Sequence, residues 1–195
     1  MFNGLGVAIV TPFKDGKVDI EGFRRLIDFQ IENNTQALIV LGTTGEASTI
    51  DGEERELIVK TAITHVDKRI PVIVGTGSNN TAAAIKYTIQ AEELGADGVL
   101  VVTPYYNKAT QKGLIKHYTE IANSTKLPVI LYNVPGRTNV NIAPKTVAEL
   151  SKVENIVAVK EASADMGQIL EIKRLVPEDF KIYSGNDDNV VPIYA

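Results

Sequence analysis

One lysine stands where a buried strand should carry another Val or Ile. Lys160 closes the apolar run "IVAVK" (156–160) and is followed by "EAS". Burial disfavours an ammonium, so a desolvated lysine has a lowered pKa and offers a neutral amine. Such an amine attacks a carbonyl carbon and forms a Schiff base. The plain alternative is a lysine that snorkels to water or pairs with a buried acid such as Glu161. Hydroxyls and one guanidinium are the other groups of interest. Thr43 and Thr44 lie in "GTTGE" (42–46), Tyr105 and Tyr106 in "TPYYNK" (103–108), and Tyr132 and Arg137 in "YNVPGRT" (132–138). Hydroxyls and N–H groups at a turn can hold a carboxylate. Tyrosines near an amine can form a proton path, although packing is their usual fate. An arginine fork can take a second carboxylate, or simply pair with a surface acid.

The elements that must position these groups repeat along the chain. Short apolar runs, rich in Val and Ile and mostly continuous, occur at 6–13, 37–42, 70–77, 98–104, 128–135 and 156–163, with "KIYSGND" at 181–187. Continuous rather than alternating apolar runs mark strands buried on both faces of a parallel sheet. Helical patterns lie between them. "DIEGFRRLIDFQIENN" spaces Phe23, Leu26, Ile27 and Ile31 by threes and fours. "DGEERELIVKTAITHV" opens with acids, as the helix dipole favours. "NTAAAIKYTIQAEELGA" stops at Gly95, a C-cap residue. Further helices are expected from about Thr110, Pro144, Asp165 and Asp188. The acids of "GNDD" (185–188) are expected to cap the last of them.

Strand starts recur about every 30 residues, the length of a βαβ unit. Even spacing with no insertion marking a sheet reversal favours a (β/α)8 barrel over an open doubly wound sheet. The expectation is one α/β barrel domain over 1–195. Seven strands are visible where a barrel needs eight, and the chain stops at Ala195 inside a helical pattern. An unclosed sheet leaves apolar edges. The expectation is therefore a C-terminally incomplete barrel, a fragment of a longer protein. In a barrel the chemistry belongs to the C-terminal ends of strands, where Thr11, Thr43, Thr44, Tyr105, Tyr106, Tyr132, Lys160 and "SGND" all fall.

Several function classes are set aside. "GTTGE" lacks the Gly-Lys-Ser/Thr ending of a phosphate loop, and "GTGSNN" (75–80) lacks the third glycine of a dinucleotide fingerprint. The net charge of −4, with no basic run, speaks against nucleic acid. No apolar stretch nears the roughly 20 residues of a membrane helix. The start "MFNGLGVAIVTPFKDG" has no basic n-region and reads as a first strand. The absence of cysteine fits a reducing, cytoplasmic setting and excludes thiol chemistry. His65 and His117 fall in helical stretches, without metal-ligand spacing, and receive no role.

In order and spacing, "GTTGE", "TPYYNK", "YNVPGRT", "KEAS" (160–163) and "SGND" (184–187) resemble the dihydrodipicolinate synthase family. It belongs to the pyruvate-dependent class I aldolases, with N-acetylneuraminate lyase. The likeness covers the whole chain. "YYNK" and "GRT" point to the synthases, because sialic acid lyases lack the arginine in that loop. The resemblance implies that Lys160 forms the imine with pyruvate, without metal or organic cofactor. It implies a proton relay of Thr43, Tyr132 and Tyr106, with Tyr106 reaching in from a neighbouring subunit. Thr44 and its turn would hold the pyruvate carboxylate, Arg137 the carboxylate of aspartate semialdehyde, and Gly185 would line the pocket. It further implies a homotetramer, a dimer of dimers, working in lysine and diaminopimelate biosynthesis. The alternatives are a sugar-acid aldolase and a non-catalytic fragment. Arg55 and Ala83 depart from the histidine and glutamate of lysine-inhibited members, while Asn79 and Tyr105 are retained, so feedback by lysine is expected to be weak or absent.

Overall fold

The computed structural model describes residues 1–194. Its elements alternate as the apolar pattern predicts. The strands are β1 (Gly6–Ala8), β2 (Phe13–Lys14), β3 (Lys17–Val18), β4 (Ala37–Val40), β5 (Val72–Gly75), β6 (Gly98–Val102), β7 (Val129–Asn133), β8 (Ile156–Glu161) and β9 (Lys181–Ser184). The helices are α1 (Ile20–Glu32), α2 (Gly52–Val66), α3 (Thr81–Leu94), α4 (Gln111–Asn123), α5 (Pro135–Thr138), α6 (Pro144–Leu150), α7 (Met166–Leu175) and α8 (Val190–Tyr194), the last preceded by a 3-10 turn, Asp187–Asn189.

The chain forms two compact units. One comprises Met1–Thr76 and Ile89–Leu100; the other comprises Gly77–Thr88 and everything from Val101 onward. In the first, β1, β4, β5 and the start of β6 pair in parallel, in that order. The strands β4 and β5 are buried at every residue, as continuous runs of Val, Ile and Leu require. Phe23 and Ile27 of α1 and Ile58 of α2 are fully buried. Burying side chains of this size contributes roughly 1.5–3 kcal/mol apiece. In the second unit β7, β8 and β9 pair in parallel, and the amide of Thr103, just past β6, donates to the Tyr132 carbonyl.

Local chemistry explains the helix ends. Asp51 accepts from the amides of Glu53 and Glu54, and Glu54 reaches back to the Asp51 amide, a complete capping box. Asp19, Thr110 and Asp165 cap α1, α4 and α7 in the same side-chain manner. Gly95 takes a φ of 93° past the end of α3, as expected of a C-cap.

Three segments differ from the sequence reading. The run at 6–13 is not one strand. Pairing to β4 stops at Ala8 and one further bond from the Ile9 amide, and Phe13–Lys14 turns back on Lys17–Val18 as a small hairpin. Asp15 and Gly16 both have positive φ there, the signature of an Asp-Gly hairpin turn. "PGRT" forms the short α5, with Pro135 at its first position, where a missing N–H costs nothing. The expected cap by "GNDD" is absent: the turn at Asp187 has no side-chain cap bond, and the Ser184 hydroxyl instead donates to the Asn186 carbonyl.

Candidate active site

Two groups of candidate residues lie at strand ends, one in each unit. In the first unit the "GTTGE" turn follows β4. Leu41 is buried yet has a φ of 56°, a left-handed conformation disfavoured for a bulky residue. This kink swings the chain out of the strand. The neighbouring strand must be thin to receive it, because a Cβ on Gly75 would sit 2.1 Å from the Leu41 carbonyl oxygen. The turn closes through Gly45 and Glu46 amides donating to the Gly42 and Thr43 carbonyls. The buried Thr11 hydroxyl pins it by donating to the Gly45 carbonyl at 2.7 Å. Thr43 and Thr44 are left with exposed side chains on this hydrogen-bonded turn. Arg55, on α2, is buried, and its Nη2 donates to the Gly75 carbonyl at 2.6 Å. Its guanidinium therefore braces the same strand end.

In the second unit the ends of β7, β8 and β9 come into register. Tyr132 pairs with Lys160, and Lys160 with Tyr183. Paired residues on parallel strands share a face, so the amine is flanked by two phenol rings. Lys160 Nζ lies 4.6 Å from the centroid of the Tyr132 ring, within cation–π range. Tyr132 itself is buried. Burial holds the Lys160 pKa below the usual lysine range, and the negative charge of Asp187 opposes that effect. Burial also pushes the Tyr183 hydroxyl up to about 12. Gly185 closes the space beside the amine: a Cβ there would lie 2.7 Å from the Ala162 Cβ and 3.2 Å from the Lys160 Cε.

Lys160 does not pair with Glu161. Successive residues of a strand point to opposite faces, and Glu161 is fully buried on the other side, bonded to Asn133 and Gln168 side chains and to the Ser163 amide. Arg137 is exposed at the end of α5. Tyr106, in the loop after β6, is 90% exposed with a φ of 74°. Lys160, Tyr132 and Gly185 are thus brought together, and Tyr106, on a loop, and Arg137, on α5, are exposed in the same unit. Tyr183 and Asp187 are neighbours of the amine that the sequence alone does not identify, and Glu161, expected as a possible partner of Lys160, is bonded to Asn133 on the opposite face. The signal for Tyr183 and Asp187 was their place at the end of a strand beside the lysine strand.

The two histidines serve structure. His65 Nε2 lies 2.9 Å from Asp28 Oδ2, and His117 Nδ1 lies 2.9 Å from Thr81 Oγ1. Among the described residues no group of three or more His, Cys, Asp or Glu side chains is arranged to hold a metal ion. None of the described helices is long and apolar enough to cross a membrane.

Comparison with known proteins places the chain in a family. The sequence profile of the Dihydrodipicolinate synthetase family matches residues 1–195. The 4-hydroxy-tetrahydrodipicolinate synthase of Alkaliphilus oremlandii is 71% identical over all 195 residues, which span 67% of its length. The dihydrodipicolinate synthase structure from Thermotoga maritima superposes with a TM-score of 0.97 at 50% identity, covering 100% of this chain and 67% of that one. The chloride-inhibited enzyme from Acinetobacter baumannii, complexed with pyruvate, gives 0.95 at 45% identity, covering 97% of this chain and 66% of that one. The expected fold class stands, a (β/α) barrel succession of seven βα units. On profile, identity and fold, the chain belongs to the dihydrodipicolinate synthetase family.

Proposed function

We propose that this protein condenses pyruvate with L-aspartate 4-semialdehyde through an imine on Lys160, giving 4-hydroxy-tetrahydrodipicolinate for diaminopimelate and lysine biosynthesis. The observation that carries the reading is the half-buried Lys160 amine against the Tyr132 ring, its pKa lowered by desolvation. The neutral Nζ adds to the pyruvate carbonyl carbon and water leaves as the iminium forms. The iminium acidifies the methyl group, which loses a proton to give an enamine. The enamine carbon bonds to the aldehyde carbon, whose oxygen takes up a proton. The amino group of the semialdehyde portion then attacks the imine carbon, closing the ring and releasing Lys160. The iminium is the electron sink, so no metal or organic cofactor is needed.

Tyr132, Thr43 and Tyr106 are assigned to the proton relay, Thr44 and its turn to the pyruvate carboxylate, Arg137 to the semialdehyde carboxylate, and Gly185 to the pocket wall. Tyr106 is assigned to the site of a neighbouring subunit in a dimer of dimers. Its near-complete exposure and left-handed backbone support that role, since such strain persists where function selects it. A cytoplasmic location agrees with the lack of cysteine. Feedback by lysine is weak or absent in this reading, because Arg55 is committed to the Gly75 carbonyl and position 83 is alanine.

Borohydride reduction in the presence of pyruvate tests the proposal. The expected result is a stable pyruvate adduct on the peptide containing Lys160. No adduct means a non-catalytic chain. Turnover with N-acetylneuraminate rather than aspartate semialdehyde moves the assignment to a sugar-acid aldolase.

A further inference from the structure

The pairing of β7 with β8 contains an irregularity that bears on the amine. Val129 pairs with Ile156, but Ile130 pairs with Ala158, so Val157 is an extra residue in β8. Only beyond that bulge do the rungs become Leu131 with Val159, Tyr132 with Lys160, and Asn133 with Glu161. A one-residue slip sends a side chain to the opposite face. Lys160 therefore shares a face with Tyr132 only because the register after the bulge is held.

The last rung is built to hold it. Asn133 and Glu161 are both fully buried. Asn133 Nδ2 donates to Glu161 Oε1 and Oε2, each at 3.0 Å. The Ile142 amide donates to Asn133 Oδ1, the Ser163 amide to Glu161 Oε1, and Gln168 Nε2 to Glu161 Oε2. Asn141 extends the network by accepting from Asn133 Nδ2 at 2.7 Å and exchanging bonds with Gln168. The carboxylate is thus held by amides, and among the described residues it makes no ion pair within 4.0 Å. Burying a carboxylate is costly, and an apolar pair would close the same rung without that cost. What the polar pair adds is directionality: it is satisfied in one register only.

We propose that Asn133 and Glu161 are positioning residues that lock the β7–β8 register from the face opposite the amine and so aim Lys160 at Tyr132. The proposal uses the Schiff-base reading for only one of its two readouts. The test compares the full chain with Asn133→Asp and with the swap Asn133→Asp/Glu161→Gln. The first sets carboxylate against carboxylate. The second restores an amide–carboxylate rung with the donor on the other strand, and Glu161→Gln alone completes the double-mutant cycle. The first readout is the titration of Lys160, followed by NMR of lysine labelled at Cε, which needs no pyruvate. The second is the rate of borohydride trapping with pyruvate.

In Asn133→Asp the Lys160 midpoint moves up toward ordinary lysine as the amine rehydrates, and trapping falls by about a hundredfold, the scale of a misplaced reacting group. The swap returns the midpoint, and brings trapping within about threefold of the parent. A folded Asn133→Asp variant with unchanged titration and trapping overturns the proposal, as does a swap that recovers nothing. If Asn133→Asp does not fold, the swap decides alone: folded with the native Lys160 midpoint it supports the proposal, and any other result overturns it. A parent protein that titrates as described but never traps pyruvate sinks the Schiff-base reading and leaves the positioning result standing.

Discussion

The turn after β4 and the strand ends around Lys160 solve opposite problems. The turn presents main-chain and hydroxyl groups, so its requirements are steric: a left-handed Leu41, a thin Gly75 and a threonine strut from Thr11. The lysine end presents a side chain, so its requirements are electrostatic: partial burial, an opposing charge at Asp187 and polar rungs that fix direction. In the first region a substitution acts through the backbone and is felt as stability and as the placement of Thr43 and Thr44. In the second it acts on one amine and is felt as chemistry.

The largest expected effect separates the two regions outright. Lys160→Met removes the nucleophile and with it the desolvation penalty of the ammonium. Trapping with pyruvate disappears completely, while the melting temperature stays level or rises, because an apolar chain of similar length packs where a charge was strained. Mass spectrometry of the reduced protein and a thermal melt check both halves. A substantial fall in melting temperature would mean that the amine is a structural support.

Gly75→Ala tests the steric region. The added methyl meets the Leu41 carbonyl oxygen at 2.1 Å, against backbone that can yield only by moving the turn. Overpacking of this kind costs about 1–3 kcal/mol, readable as a shifted denaturant midpoint. The Lys160 titration should not move. A midpoint shift in Lys160 comparable to that of Asn133→Asp would show that the two regions are not separable.

These two regions were unequally legible in the sequence. The strand-and-helix succession was plain because Val/Ile runs and threefold or fourfold spacing are local signals. The acids opening α2 and the glycine after α3 were local too. The lysine announced itself as a charge in an apolar run. The purpose of Glu161 did not, because the adjacent acid looked like a salt-bridge partner until strand alternation put it on the other face. Asn133 is silent for a different reason: its partner lies 28 residues away, and a bulge at Val157 shifts the register that joins them. The hairpin at 13–18 was legible as Asp-Gly but was overridden by the longer apolar run before it. Asp187 was read as a cap because acids before a helix usually are, and only folding brings β9 beside β8.

The smallest expected effect concerns that aspartate. Burial lowers the Lys160 pKa and Asp187 partly restores it. Asp187→Asn removes the restoring charge, so the amine loses its proton at still lower pH. The acid limb of the trapping-rate profile should shift toward acid, with little change on its plateau. Stability moves the other way. The folded pKa of Lys160 lies below the unfolded one, so the unfolded chain binds the proton more tightly. The resulting penalty is fully present below the folded pKa and fades as pH rises toward the unfolded value. Asp187→Asn deepens that penalty, so the variant should melt slightly earlier than the parent at neutral pH and converge with it in strong alkali. Because Asp187 is exposed, salt screens its field, and raising the ionic strength should move the parent's acid limb toward the variant's. An acid limb that shifts toward alkali in Asp187→Asn would reverse the sign of the assigned interaction and remove Asp187 from the site.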